Sequence, residues 1–417
     1  MRTSFGLAIV VGALLITTGA HAAGSARSAG MAGTVTAVTT GIEGAEANPA
    51  NLSWVDNPNV AIELISTQFV VGNNGIDLDL YNASMNRHLE EDDKANILGA
   101  IPSTGLTADA HLGASALGVK VGRVAVTFSG QADLTTNLPH DAFELLLLGN
   151  AEADSLDFGD ARGEALSLAR ARVSTAITVG HTLWGPIYAG MGLSYLQGVG
   201  YAHLEEMEGE LVTRTTGIHG RAQGRLKTAT FGAGFGLDLG VATELGPWYR
   251  ASLALKNAVA QVQFSDGIEM RTFVATVDTL DLQTIEDTED QDDLISSEDL
   301  VFDGDPFSVT LPRVLNLGLS RVTPRASVGL EYEQGFARRA GATTTPRVAL
   351  GAEWRGLSWL PLRAGVSVGG RSQRRASAGF GLHVVGFRLD FAASTVGELL
   401  PGSPKGLAFA FGTGLRF

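Results

Sequence analysis

The last thirteen residues, Lys405-Gly406-Leu407-Ala408-Phe409-Ala410-Phe411-Gly412-Thr413-Gly414-Leu415-Arg416-Phe417, decide how the rest of the chain is read. Leu407, Phe409, Phe411, Thr413, Leu415 and Phe417 alternate with Ala408, Ala410, Gly412, Gly414 and Arg416. A strand sends successive side chains to opposite faces, so one face is apolar and the other small or charged. A strand packed on a soluble core shows the same alternation. The wall of a membrane barrel adds two further demands: a small or polar face toward the lumen and an aromatic residue at the membrane boundary, here Phe417.

At the other end, Arg2 precedes an apolar run from Phe5 to Ile16, and Ala20-His21-Ala22 forms an A-x-A cleavage site. Residues 1–22 read as a secretory signal peptide, cut after Ala22, and the run is too short for a spanning helix. Cleavage removes one Arg and no acid, so the formal charge moves from −14 to −15. No later segment approaches the roughly 18 apolar residues that a membrane helix requires. Cysteine is absent. Exported soluble proteins often carry disulfides, whereas a barrel closes by backbone pairing. The 53 glycines suit strands and turns, while an aromatic content of 7% leaves only a thin girdle.

Alternating segments occur at 60–71, 113–122, 124–133, 172–182, 187–199, 227–243, 248–262, 310–322, 325–334, 346–355, 362–371, 376–385, 387–395 and 405–417. They number fourteen, and single-chain bacterial barrels have an even count. Short links at 122–123, 184–186, 245–247, 323–324, 356–361 and 386 alternate with longer ones at 72–112, 134–171, 200–226, 263–309, 335–345, 372–375 and 396–404. With both termini in the periplasm, all short links fall on that side, and only the tight 372–375 turn breaks the pattern outside. A soluble sandwich has no reason to sort its loops this way. The expected fold is an all-β transmembrane antiparallel β-barrel of about 14 strands. It spans 58–417, with an N-terminal plug or hatch over 23–57.

The faces agree with a wall. Val348, Leu350, Ala352 and Trp354 oppose Ala349, Gly351, Glu353 and Arg355, and Phe387, Leu389 and Phe391 oppose Arg388 and Asp390. Lys256, Glu331, Glu333, Glu353, Arg355, Arg363, Arg371, Arg388, Asp390 and Arg416 therefore point into the lumen, because a charge facing lipid near the midplane costs roughly 2–4 kcal/mol. Both signs are present. A neutralised lining that holds a plug is one reading, and an ion-selective pore is the other.

Few segments carry chemistry. Gly365-Val366-Ser367-Val368-Gly369 matches the G-x-S-x-G of serine hydrolases, but that motif needs a strand-to-helix elbow and here the strand pattern continues. The eight His show no paired ligand spacing, so no metal enzyme is expected. Residues 281–305 hold eleven acids and no base. They read as a solvated loop or as a hard-oxygen site for divalent cations. In 134–171, Asp141 to Leu148 before Gly149 reads as a short helix, and Arg162 to Arg172 as a second one. Phe143, Leu145, Leu146, Leu147 and Leu148 would form an apolar groove, cap the barrel mouth or touch the outer leaflet.

Residues 24–52 read GSARSAGMAGTVTAVTTGIEGAEANPANL. They resemble the N-terminal plug of FadL-type barrels, the long-chain fatty acid transporter superfamily, and of their PorV-like relatives. The residues that carry the likeness are Gly24, Arg27, Gly30, Met31, Gly33, Asn48, Pro49 and Ala50. Small residues let backbone pack within a narrow lumen, and Asn-Pro turns the chain into the wall. The resemblance implies a bacterial outer-membrane protein for passive uptake of a hydrophobic small molecule, with Phe143 and Leu145–Leu148 as landing site and the plug as gate. It leaves open a PorV-like structural or secretion-accessory barrel, or an open porin for polar solutes. The terminal Phe417 resembles the signal read by the barrel-assembly machinery. The partners expected are that machinery, outer-membrane lipid and a hydrophobic ligand, with no nucleic acid. No enzymatic activity and no cofactor is expected.

Overall fold

The computed structural model describes residues 25–150, 154–214, 217–280, 296–399 and 402–417. The signal peptide and residues 281–295 of the acidic segment lie outside the described residues. In chain order the strands are β1 (Val60–Asn73), β2 (Leu106–Val121), β3 (Val124–Leu138), β4 (Ser155–Asp157), β5 (Arg162–His181), β6 (Pro186–Arg214), β7 (Gly217–Ala229), β8 (Phe231–Leu245), β9 (Tyr249–Asp266) and β10 (Glu269–Leu280). They continue with β11 (Ser296–Asp303), β12 (Phe307–Thr310), β13 (Val314–Val322), β14 (Ala326–Gly335), β15 (Arg347–Trp354), β16 (Leu362–Gly369), β17 (Arg374–Val384), β18 (Phe387–Val396) and β19 (Gly406–Arg416).

Fourteen of these form one closed antiparallel barrel. The ring runs β1, β2, β3, β5, β6, β8, β9, β13 to β19, and closes where Ala61 to Gly72 of β1 pair with Arg416 to Gly406 of β19. Closure leaves the wall itself without an open edge, as backbone in hydrocarbon requires. Each wall strand matches one of the fourteen alternating segments, and the C-terminal stretch closes the ring.

The two faces differ as the alternation demands. On β15, Val348 and Leu350 are about half exposed while Ala349 and Glu353 are buried. Exposed aromatics are spread over the outer face, but the exposed tryptophans gather at one rim. Trp184, Trp248, Trp354 and Trp359 all stand exposed at the rim that carries the termini, along with Tyr249 and Phe417. Leu350 sits mid-strand on the outer face, so Leu350→Arg is expected to destabilise the barrel by roughly 2–4 kcal/mol. Urea unfolding of the bilayer-inserted protein measures this, and an unchanged midpoint would mean that the face does not meet lipid.

Four sequence expectations are corrected. Arg162 to Arg172 is not a helix but the first half of β5, since its Ala165, Leu166, Ser167, Leu168 run is paired in register with β3 and β6. Residues 200–226 are not a loop, because β6 is 29 residues long and continues past the wall. Its distal half pairs with β4 and β7, and β10 and β11 extend the sheet, so a second β-layer rises above the far rim. Residues 296–303 of the acidic segment are its outermost strand, β11. The segment expected as one strand at 310–322 splits into β12 and β13 around Pro312. Proline has no N–H for the ladder, and the side chain of Asn257 donates to the Pro312 carbonyl at 3.1 Å instead.

Candidate functional site

The site is the lumen and its far mouth. Two short helices, α1 (Ala26–Gly30) and α2 (Gly41–Ala47), and a 3-10 turn (Pro49–Ser53) build the inner segment 25–57. Ser25 caps α1 by accepting the Ser28 N–H at 3.1 Å. The segment bonds to strands all round the ring. Arg27 reaches Glu353 on β15, the N–H groups of Val35 and Thr36 reach Glu331 on β14, and the Ala37 carbonyl accepts from Ser320 on β13. Asn48 donates to Ser252 on β9 at 2.6 Å and to the Val241 carbonyl on β8 at 3.2 Å. Glu46 pairs with Arg172 on β5 at 3.4 Å. Strands on opposite sides of a ring can be reached together only from inside it.

The residues singled out in this segment have distinct tasks. Arg27 grips Glu353 with two bonds of 2.9 and 3.0 Å. A Cβ on Gly30 would lie 3.2 Å from the Cα of Gly379. Gly33 has φ +82° and lets Arg347 pass to the Ala32 carbonyl at 2.8 Å. The Asn48 side-chain oxygen accepts the Ala50 N–H at 2.9 Å, and Pro49 opens the 3-10 turn pressed against Gly190.

Many of the lumen charges are paired. Glu353 also meets Arg363 at 2.7 Å, Arg363 meets Asp390 at 2.7 Å, and Arg27 meets Glu43 at 3.5 Å. Arg172 meets Asp238 at 3.1 Å. Such pairs hold position more than they add net stability, because desolvation offsets the attraction.

The far mouth carries α3 (Leu78–Ser84), α4 (Glu91–Ala100) and α5 (His140–Leu148). The Glu90 N–H, and then Arg87, hold the Asp93 carboxyl below its usual range. That cap is present at neutral pH and is lost as pH falls through the lowered value. Helix α5 ends at Gly149, whose φ of +78° suits glycine. Leu146 is 77% exposed, while Phe143, Leu145, Leu147 and Leu148 are half-buried as α5 packs on α4 and β4. His140, Asp141 and Glu144 bring donor atoms within 4.8 Å of one another on its first turn. A search for His–His spacing misses such a mixed set.

Below the helices the lumen has two unlike flanks. On one, a cavity of about 590 Å³ is lined largely by Asn, Thr, Asp and Arg side chains, and a second of about 540 Å³ shares its Thr104, Thr107 and Arg338 and reaches round to Gly163 and Glu164 of β5 and His203 of β6. Phe143 and Leu145 to Leu148 line neither. On the other flank the inner faces of β5, β6, β9 and β12 carry a buried apolar cluster including Leu166, Leu168, Leu196, Val262 and Phe264. Tyr201, Phe264 and Phe307 pack with ring centroids 5.1 to 5.6 Å apart. The sequence reading missed this cluster. Leu166 and Leu168 stand at strand spacing, and that was the available signal. Ser367 lies mid-strand in β16 on the inner face, with no helix after it.

A closed fourteen-strand barrel with an internal N-terminal segment and a helical far mouth is the FadL-type transmembrane fold. The chain belongs to a family of unknown function, DUF5723, which matches residues 49–393. Among solved structures it is similar to the toluene transporter TbuX of Ralstonia pickettii, with 14% identity and a TM-score of 0.52 over 94% of this chain and 98% of that one. It is also similar to a Pseudomonas aeruginosa FadL homologue, at 13% identity and a TM-score of 0.51 over 96% and 100%. The monoaromatic hydrocarbon channel TodX, in its deltaS2 form, gives 12% and 0.51 over 94% and 98%. At these identities the likeness concerns the fold. No curated protein matches the sequence.

Proposed function

We propose that this protein is a bacterial outer-membrane channel for passive uptake of a hydrophobic small molecule. Phe143 and Leu145 to Leu148 of α5 are the landing site at the outer mouth, and the inner segment is the gate. The observation that carries the reading is the buried apolar cluster around Tyr201, Phe264 and Phe307. It places a low-polarity patch, packed shut on itself, inside a lumen that is otherwise charged, and an apolar solute would have to part it. Two of the similar structures are a toluene transporter and a monoaromatic hydrocarbon channel, which is in keeping with that chemistry.

Mass spectrometry of small molecules co-purified with the detergent-extracted protein tests it. An apolar ligand is expected with the native chain and is expected to be lost when Leu145 to Leu148 are changed together to Ser. A ligand that persists in the variant removes α5 from the reading. A second reading, a PorV-like accessory barrel without transport, is favoured by the ion pairs that clamp the inner segment to much of the ring. An empty barrel that co-purifies with a stoichiometric protein partner would select it.

A further inference from the structure

Helix α5 opens on His140, Asp141 and Glu144, whose donor atoms all lie within 4.8 Å of one another. Positions i, i+1 and i+4 span about 100° of the helix circumference, so the three side chains share one face. The chain carries 44 acids, yet no other group of three metal-ligating side chains converges in this way among the described residues. Glu298, Asp299 and Asp303 of β11, for instance, do not.

Carboxylates on a first turn are ordinary, because about half a positive charge sits at a helix N-terminus. That preference explains Asp141 and Glu144, and not the imidazole beside them. Two formal negative charges also exceed what the helix end offsets. None of the three side chains has an ion-pair partner among the described residues. Asp141 is already oriented, since its Oδ2 accepts the Asp157 N–H of β4 at 2.8 Å. Its Oδ1, and the side chains of His140 and Glu144, make no hydrogen bond among the described residues.

An imidazole with two carboxylates suits a borderline ion such as zinc, whereas calcium takes six to eight oxygens. Zinc bonds of about 2.0–2.2 Å put tetrahedral ligands about 3.3 Å apart. All three residues are half-buried at the mouth, and rotation of their side chains closes the remaining gap.

We propose that His140, Asp141 and Glu144 hold one divalent transition-metal ion, zinc by its ligand set, with water completing the coordination. Because Asp141 also grips β4, the ion ties the first turn of α5 to the strand on which α5 packs. It thereby fixes the angle of this helix at the outer mouth. The site stands whether or not α5 receives an apolar solute.

Calorimetric titration of the chelator-treated, folded protein with zinc chloride tests it, with calcium chloride and magnesium chloride as comparisons. One zinc per chain is expected, with no saturable calcium or magnesium at the same concentrations. His140→Ala and Glu144→Gln should each weaken zinc by at least about tenfold, since loss of an outer-shell partner alone costs 10–100-fold in metal sites. Asp141→Asn keeps an acceptor for the Asp157 N–H and removes a charged ligand, so it should weaken zinc while α5 stays docked. His181→Ala, at an exposed histidine on the opposite rim, should bind as the native chain does. Zinc should also slow amide exchange over 142–149 in the native chain and leave it unchanged in Glu144→Gln. Failure of zinc to saturate, equal affinity for calcium, native affinity in His140→Ala or in Glu144→Gln, or unaltered exchange with zinc bound overturns the site.

Discussion

Replacing Glu353 by Ala is expected to loosen the inner segment and raise single-channel conductance in planar bilayers, with an accompanying loss of about 3–5 kcal/mol in urea unfolding. Glu353 is 3% exposed and holds Arg27 through two bonds and Arg363 through one at 2.7 Å. Its removal leaves buried Arg27 with the longer Glu43 contact at 3.5 Å, while Arg363 keeps Asp390 at 2.7 Å. An uncompensated buried charge, rather than the net worth of the pair, sets the size of the effect. Arg27→Met should do less, because Glu353 keeps Arg363 and Arg355. The double variant Arg27→Met with Glu353→Met should cost less than the sum of the two single changes, since the residues share one network. Deletion of 25–50 sets the upper limit of conductance. Native conductance together with a native urea midpoint in Glu353→Ala would sink the clamp.

Gly365→Val is expected to displace the inner segment while leaving the wall paired. A Cβ at this position would meet the Met31 carbonyl carbon at 2.5 Å, its oxygen at 2.7 Å and the Ala32 nitrogen at 2.8 Å. All three are backbone atoms, so no side-chain rotation relieves the overlap. Overpacking of this kind costs about 1–3 kcal/mol, and it falls on the contact between segment and wall. Amide exchange across 28–36 should accelerate and conductance should rise. Gly180→Val is the matched control, since nothing lies within 4 Å of a Cβ there. Exchange and conductance at native levels in Gly365→Val would place the segment elsewhere. The same contact explains why this strand imitates a hydrolase motif. Gly365 is small because Met31 packs on it, and Gly369 is a turn residue with φ +84°.

How much of this was legible depended on the range of the signal. Strand alternation at 346–355, 387–395 and 405–417 sorted inward from outward residues correctly, because pleating is a property of each residue and its neighbours. The sorting of short and long links gave the strand count and the rim that carries both termini. The lining charges were legible too, since lipid excludes them from the other face. Arg162 to Arg172 failed because a short run with Ala, Leu and Arg satisfies helix and strand patterns alike. The overlong β6 failed because nothing in Tyr201 to Arg214 marks where a wall strand leaves the membrane and keeps pairing. Those two errors hid Leu166, Leu168 and Tyr201 of the apolar cluster, while Leu196 and Val262 lie on stretches already read as strands and only ring closure brings them together.

What the sequence by itself determined is the wall: an alternating, closed, even-stranded barrel with a Gly- and Ala-rich segment ahead of the first strand. What only the tertiary structure decided is which lumen groups meet. Glu353 lies 326 residues from Arg27, and Asn48 lies 204 from Ser252. Partners at that separation are fixed by ring closure and strand stagger, which no local period encodes.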